Sequence, residues 1–203
     1  MREEFQIMRR IILLSTVLLV LVAAPIVVAA QQPAAPAASA AGDLLGAWNR
    51  EAKKLIDMAE DFPEDKYNYK PAPEVRSFAE QLAHVAEANV RFASLARGQA
   101  PGGGEHHDAA PKSKAEIVAM LKKSFEDAAA AIQSAGEAGL AQPIKLPTRT
   151  ITGYGLWTAA TINAAEHYGN LVVYYRLNGL VPPTTRAAQE RQRQQQQQQQ
   201  PPR

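Results

Sequence analysis

Hydrophobic residues recur at three- and four-residue intervals in four separate stretches of the chain between residues 43 and 183. The last stretch is the most regular, and its members are Trp157, Ala160, Ala164, His167, Leu171 and Tyr174. Residues three and four apart lie on the same side of an α-helix. The spacing therefore predicts an amphipathic helix with His167 inside its apolar face. No segment shows the sustained two-residue alternation that is typical of a half-buried strand.

Capping residues mark the ends of these stretches. The first helix is predicted from about Asp43 to Glu60, with Asp43 as its cap. Capping boxes, in which a serine and a glutamate three residues later satisfy each other's backbone amides, begin the second helix at Ser77 and the third at Ser113. Gly179 ends the fourth helix, because glycine adopts the left-handed conformation without a steric penalty.

Four amphipathic helices bury their apolar faces most readily against one another. The fold class predicted for residues 43–183 is therefore all-α, a four-helix bundle with an irregular or short extended connection over Pro143–Thr150. The other connecting loops are roughly 15 residues long, so loop length does not fix the order of the helices around the bundle.

The N-terminus has the features of an export signal. Two arginines precede an uncharged apolar run over residues 11–28, which ends in the small-residue pattern Val28-Ala29-Ala30. Residues 1–30 are therefore predicted to be a signal peptide that is cleaved after Ala30. Cleavage would remove the apolar run, so the mature protein is expected to be periplasmic or extracellular and to have no stable membrane span. The alternative is an N-terminal membrane anchor. Pro25 disfavours it by interrupting a run that is near the lower length limit for crossing a bilayer.

The segments on either side of the bundle offer little to bury. Residues 31–42 are predicted to be a Pro/Ala linker. Residues 184–203 are predicted to be a disordered Gln/Arg-rich tail, since they contain no apolar residue larger than alanine.

Composition excludes several kinds of site and partner. The chain has no cysteine, so disulfides, thiolate metal sites and cysteine nucleophiles are excluded. The folded region is slightly acidic, so the positive sign of the net charge of +2 comes from the tail after Pro183, which has four arginines and one glutamate. No basic face is expected on the bundle, and nucleic acid is therefore not a predicted partner.

The candidate metal ligands are the histidines, which are His84, His106, His107 and His167. His84 lies beside the apolar face of the second helix and His167 lies on that of the fourth, and bundles build metal sites in their cores from facing helices. Imidazole binds zinc, nickel or iron and needs a hydrogen-bond acceptor to fix its tautomer. The acceptors near in sequence are Glu80, Glu87 and Glu166. The alternative is that His84 and His167 are hydrogen-bonded core residues, and that the other two belong to an exposed glycine-rich loop.

Two motifs resemble the DinB-like superfamily of damage-inducible-protein-like four-helix bundles, which is grouped with the bacillithiol and mycothiol S-transferases. They are SFAEQLAHVAEAN at residues 77–89 and HYGNLVVYYRLNGLVPP at residues 167–183. The resemblance covers residues 43–183 and implies a bundle of variant up-and-down topology. It also implies the divalent metal that many members hold with one histidine of the second helix and two of the fourth, spaced HxxxH.

Carried over residue by residue, this resemblance assigns His84 as the second-helix ligand and His167 as the later histidine of the fourth helix. Asn163 stands where the earlier histidine is expected. An amide oxygen is a weaker ligand than imidazole for borderline metals. The resemblance thus implies a site of His84, His167 and Asn163 for zinc, nickel or iron, with a lower affinity than a full triad.

Two functions follow as alternatives. The first is an exported, metal-dependent enzyme of the hydrolase or transferase type, with its site between the second and fourth helices. Hydrolysis suits export better, because the low-molecular-weight thiols used by the family's transferases are cytoplasmic. The second is a metal-free, non-catalytic bundle that binds a small molecule or a protein partner. A homodimer is compatible with both, whereas DNA repair is disfavoured by export and by the missing basic face.

Overall fold

The computed structural model describes residues 39–99 and 113–199. The described elements are α1 (Ala40–Asp61), a short 3-10 helix (Glu64–Lys66), α2 (Phe78–Ala96), α3 (Lys114–Leu140), β1 (Pro143–Lys145), β2 (Thr150–Thr152), α4 (Gly153–Leu177) and α5 (Pro183–Gln198). The four helices that the sequence predicts are confirmed as α1 to α4. The predicted signal peptide, most of the predicted linker, and the histidine pair at 106 and 107 lie outside the described residues.

α1 begins earlier than the sequence predicts. Its cap is Ser39, whose hydroxyl oxygen accepts a hydrogen bond from the backbone amide of Gly42 at 3.0 Å. Asp43, the predicted cap, lies instead in the first turn, where a carboxylate is favourable near the positive end of the helix dipole. The end of the predicted linker is therefore helical, because its alanines have the highest helix propensity and Ser39 satisfies an exposed amide.

Both predicted capping boxes are present. The amide of Glu80 donates to the Ser77 hydroxyl at 3.1 Å, and the amide of Ser77 donates to the Glu80 carboxylate at 2.6 Å. Ser113 and Glu116 make the same pair of bonds at the start of α3. These reciprocal bonds satisfy backbone amides of the first turns and so fix where α2 and α3 begin.

The helices pack around the bundle in the order α1, α3, α2, α4, so that each of α1 and α2 contacts both α3 and α4. α1 and α4 run in the same direction. Trp48 packs against Trp157 near the start of the two helices, with ring centres 5.7 Å apart. The Tyr175 hydroxyl near the end of α4 donates to the carbonyl of Met58 near the end of α1 at 2.9 Å.

α2 runs antiparallel to α4. Phe78, at the start of α2, packs against Tyr175 near the end of α4, and His84, further along α2, packs against the earlier residue His167. α3 runs antiparallel to α1, since the ammonium group of Lys114 at its start donates to the backbone carbonyl just beyond the end of α1 at 2.8 Å. The bundle is therefore up-down-down-up, with the consecutive helices α2 and α3 parallel.

The core is aromatic at both ends of the bundle, and every position of the regular α4 stripe is buried as predicted. Large aromatic side chains bury the most apolar area per residue and stabilise the packed state accordingly. The aromatic side chains with at most 2% exposure are Trp48, Phe62, Phe78, Phe125, Trp157 and Tyr175.

A two-stranded antiparallel hairpin joins α3 to α4, which confirms the extended form of the predicted connection. Ile144 lies opposite Ile151 in its register. Gly153 follows directly, and a Cβ atom there would lie 2.9 Å from the backbone of Leu140. Glycine at position 153 is thus what lets the start of α4 approach the end of α3 so closely.

The predicted disordered tail is wrong for most of its length, because residues 183–198 form the helix α5. Pro183 occupies its first turn, where the fixed φ angle of proline suits a helix. The guanidinium of Arg186 pairs with Asp61 at the end of α1 and donates to the carbonyl of Val181 at 2.7 Å. The Tyr168 hydroxyl of α4 also bonds the hydroxyl of Thr184. These contacts anchor the first turn, and the alanine, glutamine and arginine residues that follow have a propensity that extends the helix without a buried face.

Among the described helices, none combines the length and the apolar character that crossing a bilayer requires.

Candidate metal centre

His84 and His167 meet across the contact between α2 and α4. Their ring centres lie 5.0 Å apart, and the ring planes are inclined at 64°. The antiparallel arrangement of the two helices brings them level with each other, although they are far apart in sequence. The pairing that the sequence predicts for these two side chains is therefore present in the structure.

The separation of the rings suits a shared metal ion. Two imidazole nitrogens that bind one zinc ion at about 2.0–2.1 Å with a tetrahedral angle between them place their ring centres about 5 Å apart. The distance between the rings of His84 and His167 thus agrees with that between two ligands of a tetrahedral ion.

His167 is the more deeply placed of the pair, with 8% of its surface exposed, whereas His84 is partly exposed. Burial lowers the pKa of His167, the positive charge of Arg76 lowers it further, and the carboxylate of Glu166 opposes both. A lowered pKa favours the neutral imidazole. Neutral imidazole is the form that binds metal ions.

Asn163 is the third residue of the predicted site, and its amide oxygen is a weak donor. It is partly buried and lies four residues before His167 on α4, so the two side chains project from the same face of that helix. Within the described ranges there is no group of three or more His, Asp or Glu side chains placed to hold a metal ion. The predicted site of His84, His167 and Asn163 would accordingly offer two imidazoles and an amide, with water at the remaining positions around an ion.

Comparison with protein families gives a match over most of the bundle. The model of the DinB superfamily matches residues 47–171, which is more than half of the chain.

The chain belongs to the DinB superfamily.

Solved structures of other DinB-like proteins share the fold. A DinB-like protein of Bacillus subtilis is 26% identical, superposes with a TM-score of 0.57, and matches over 68% of this chain and 93% of its own. A DinB-like protein of Bacillus cereus ATCC 10987 is 17% identical, with a TM-score of 0.61 over 70% of this chain and 95% of its own. The second likeness shows the fold alone. No curated protein has significant similarity to the chain.

Gln81 is the hydrogen-bond partner of His167 in this DinB-superfamily bundle, and the sequence analysis missed it. Gln81 Oε1 lies 2.9 Å from His167 Nδ1, and both side chains are buried. Glu80, one of the predicted acceptors, is instead engaged by the amide of Ser77 and by Lys70, whose ammonium group lies 3.0 Å away. The sequence signal for this partner is its spacing. Gln81 lies three residues before His84 and therefore on the same side of α2.

Tyr174 extends this arrangement. The sequence predicts it to be a packing residue, and it does pack against Phe78 and Tyr69. Its hydroxyl also contacts Gln81 Nε2 at 3.5 Å and the backbone carbonyl of Arg76 at 2.5 Å. The polar end of Tyr174 therefore belongs to the surroundings of His167.

Proposed function

We propose that this DinB-superfamily protein binds one divalent metal ion of the zinc, nickel or iron type through His84 and His167, with the amide oxygen of Asn163 as a third, weaker ligand. The observation that carries the proposal is the 5.0 Å separation of the two imidazole rings across α2 and α4. The lowered pKa of His167 supports it, because a neutral ring is ready to bind a cation without first losing a proton.

We further propose an enzyme of the hydrolase or transferase type. A bound divalent ion supplies a Lewis acid and lowers the pKa of a coordinated water or thiol. His84, His167 and Asn163 would hold and orient that ion. The coordination positions that these three residues do not fill can be taken by a substrate group. Hydrolysis is the form that agrees with export, because it needs only water as co-substrate.

A metal-free, non-catalytic bundle that binds a small molecule or a protein partner is the second candidate. It is favoured by the amide at position 163 and by the lack of a third histidine or carboxylate ligand in the part of the chain that the structure describes. The two candidates differ in whether the purified protein holds metal.

Metal content of the untagged full chain, measured by inductively coupled plasma mass spectrometry after equilibration with zinc, tests the proposal. We expect close to one zinc per chain in the parent protein and loss of that zinc in His84→Ala and in His167→Ala. A double replacement of His106 and His107 by alanine is the control, because it removes the two imidazoles of the glycine-rich sequence and leaves His84 and His167 in place. Zinc that survives His84→Ala, or a parent protein that takes up none, would favour the second candidate.

We also propose that the protein is exported by its first 30 residues, which carry the basic, apolar and small-residue regions of a signal peptide. N-terminal sequencing of the protein recovered outside the cytoplasm tests this. A mature chain that begins at Gln31 is expected. A full-length chain retained in the membrane fraction would show an anchor instead.

A further inference from the structure

A short chain of hydrogen bonds starts at His167 Nδ1 and ends at a backbone carbonyl. His167 Nδ1 contacts Gln81 Oε1 at 2.9 Å, Gln81 Nε2 contacts the Tyr174 hydroxyl at 3.5 Å, and that hydroxyl contacts the carbonyl oxygen of Arg76 at 2.5 Å. The side chains of His167, Gln81 and Tyr174 are all less than one-tenth exposed. Protein groups rather than water therefore determine where the protons of this chain lie.

The donor and acceptor of each hydrogen bond follow from the final bond of the chain, between Tyr174 and Arg76. A carbonyl oxygen only accepts, so the single proton of the Tyr174 hydroxyl goes to Arg76. The hydroxyl oxygen must then accept from Gln81, which turns the amide nitrogen of Gln81 toward Tyr174 and its amide oxygen toward His167. An amide oxygen cannot donate, so the proton between Gln81 and His167 belongs to His167 Nδ1.

We propose that Gln81, oriented by Tyr174, is a positioning residue that holds His167 in the Nδ1–H tautomer and leaves Nε2 as its metal-binding nitrogen. The use of that nitrogen rests on the proposed metal site, whereas the tautomer itself does not. In the free imidazole the proton exchanges between the two nitrogens, and a ligand histidine held by a partner at one nitrogen presents the other in a fixed direction.

This chain of hydrogen bonds also accounts for the polar side chains that are buried at positions 81 and 174. A buried amide without partners would destabilise the fold, and Gln81 has one partner for each of its two ends. Leucine would fill a similar space without any polar group. Glutamine at position 81 therefore does more than fill the contact between α2 and α4.

Nitrogen-15 NMR of the full chain, in its metal-free form and at a pH where imidazole is neutral, reads the tautomer directly. The two ring nitrogens of His167 have distinct shifts when one is protonated and the other is not, and the signals are assigned by their loss in His167→Gln. We expect a protonated Nδ1 and an unprotonated Nε2. Gln81→Leu should convert this to a mixture, Tyr174→Phe should do so in part, and Gln81→Glu should keep the parent tautomer because a carboxylate oxygen also accepts from Nδ1.

Tyr168→Phe is the matched control for Tyr174→Phe, since Tyr168 lies on the same helix and directs its hydroxyl to Thr184. It should leave the His167 shifts unchanged. A parent protein with Nε2 protonated, or a tautomer that Gln81→Leu does not alter, would overturn the inference.

Zinc titration distinguishes a failure of the role assigned to Gln81 from a failure of the proposed metal site. If the parent protein binds zinc, Gln81→Leu should weaken binding by roughly 10–100-fold, and Gln81→Glu should restore it. Unchanged zinc affinity in a folded Gln81→Leu protein would count against Gln81 as a positioning residue. A parent protein that binds no zinc would refute the proposed metal site, while the NMR result would still decide whether Gln81 sets the tautomer.

Discussion

Arg186 in the first turn of α5 binds the carboxylate of Asp61, at the end of α1, through two nitrogen–oxygen contacts of 2.5 and 3.1 Å. The Tyr175 hydroxyl also lies 3.1 Å from the same carboxylate. One carboxylate thus links the end of α1, the end of α4 and the start of α5. α5 has no buried residue, so its docking rests on a small number of polar contacts.

Replacing Arg186 by alanine is expected to release α5 while leaving the bundle folded. The pair is partly exposed, with 48% and 35% of its side-chain surfaces accessible. Exposed ion pairs contribute about 0–1 kcal/mol, so the global free energy of unfolding should fall by no more than that. Amide hydrogen exchange of residues 184–190 should rise clearly. Arg191→Ala is the matched control from the exposed part of α5, and equal exchange in the two variants would show that Asp61 does not hold the helix.

The same contact predicts a pH dependence. The hydrogen bond from Arg186 lowers the pKa of the Asp61 carboxyl below its ordinary value of 3.8, and the Tyr175 hydroxyl acts in the same direction against the opposing effect of burial. A lowered pKa in the folded state means that the carboxylate stabilises the docked form at pH values above 3.8. That stabilisation is lost as the pH falls through the folded-state pKa.

Exchange of the α5 amides measured against pH is the check. Protection should decrease below pH 3.8 in the parent protein. Asp61→Asn should show little protection and no such pH dependence. Protection that is independent of pH in the parent protein would contradict the assignment of Asp61.

Gly153 is expected to tolerate no side chain. A Cβ atom there would lie 2.9 Å from the backbone of Leu140, which cannot move without disturbing the end of α3. Gly153→Ala should therefore lower the free energy of unfolding by about 1–3 kcal/mol. Gly169→Ala is the matched control, because a Cβ atom at that helical position meets nothing within 4 Å.

Gly169→Ala should raise stability by about 0.5–1 kcal/mol through the higher helix propensity of alanine. Urea denaturation of both variants measures the two effects. A loss of stability in Gly169→Ala similar to that in Gly153→Ala would show that the close approach to Leu140 is not the cause.

The positions of His84 and His167 could be predicted from the sequence, whereas the hydrogen-bond partner of His167 could not. Helical spacing places each histidine on or beside an apolar face, and the two motifs pair them. The choice of Gln81 over Glu80 depends on how α2 is rotated about its axis. In the capping box the Glu80 carboxylate accepts from the backbone amide of Ser77, while Gln81 faces His167 on α4.

The helix α5 could not be predicted from the sequence for a different reason. Residues 184–203 have little to bury, and their composition is typical of a disordered segment. A helix of good helix-forming residues needs only a fixed first turn to begin, and Arg186 and Thr184 supply contacts that fix it. Neither contact can be foreseen without knowing that α1 and α4 end at the same side of the bundle.

A histidine in place of Asn163 is expected to strengthen the proposed metal site. Asn163 lies one turn before His167, and imidazole is a better ligand than an amide oxygen for zinc or nickel. Asn163→His should tighten zinc binding by at least about tenfold, and the gain should vanish when His84→Ala is added. Isothermal titration calorimetry measures both. A gain that persists without His84 would mean that the new histidine builds a different site.

Zinc K-edge X-ray absorption of the zinc-loaded full chain tests most directly whether one ion is shared by His84 and His167. We expect two imidazole nitrogens at about 2.0–2.1 Å with oxygen ligands completing the shell. His84→Ala should leave a single imidazole or no bound ion. A shell made only of oxygen atoms, or a two-imidazole signal that remains unchanged in His84→Ala, would contradict the shared site.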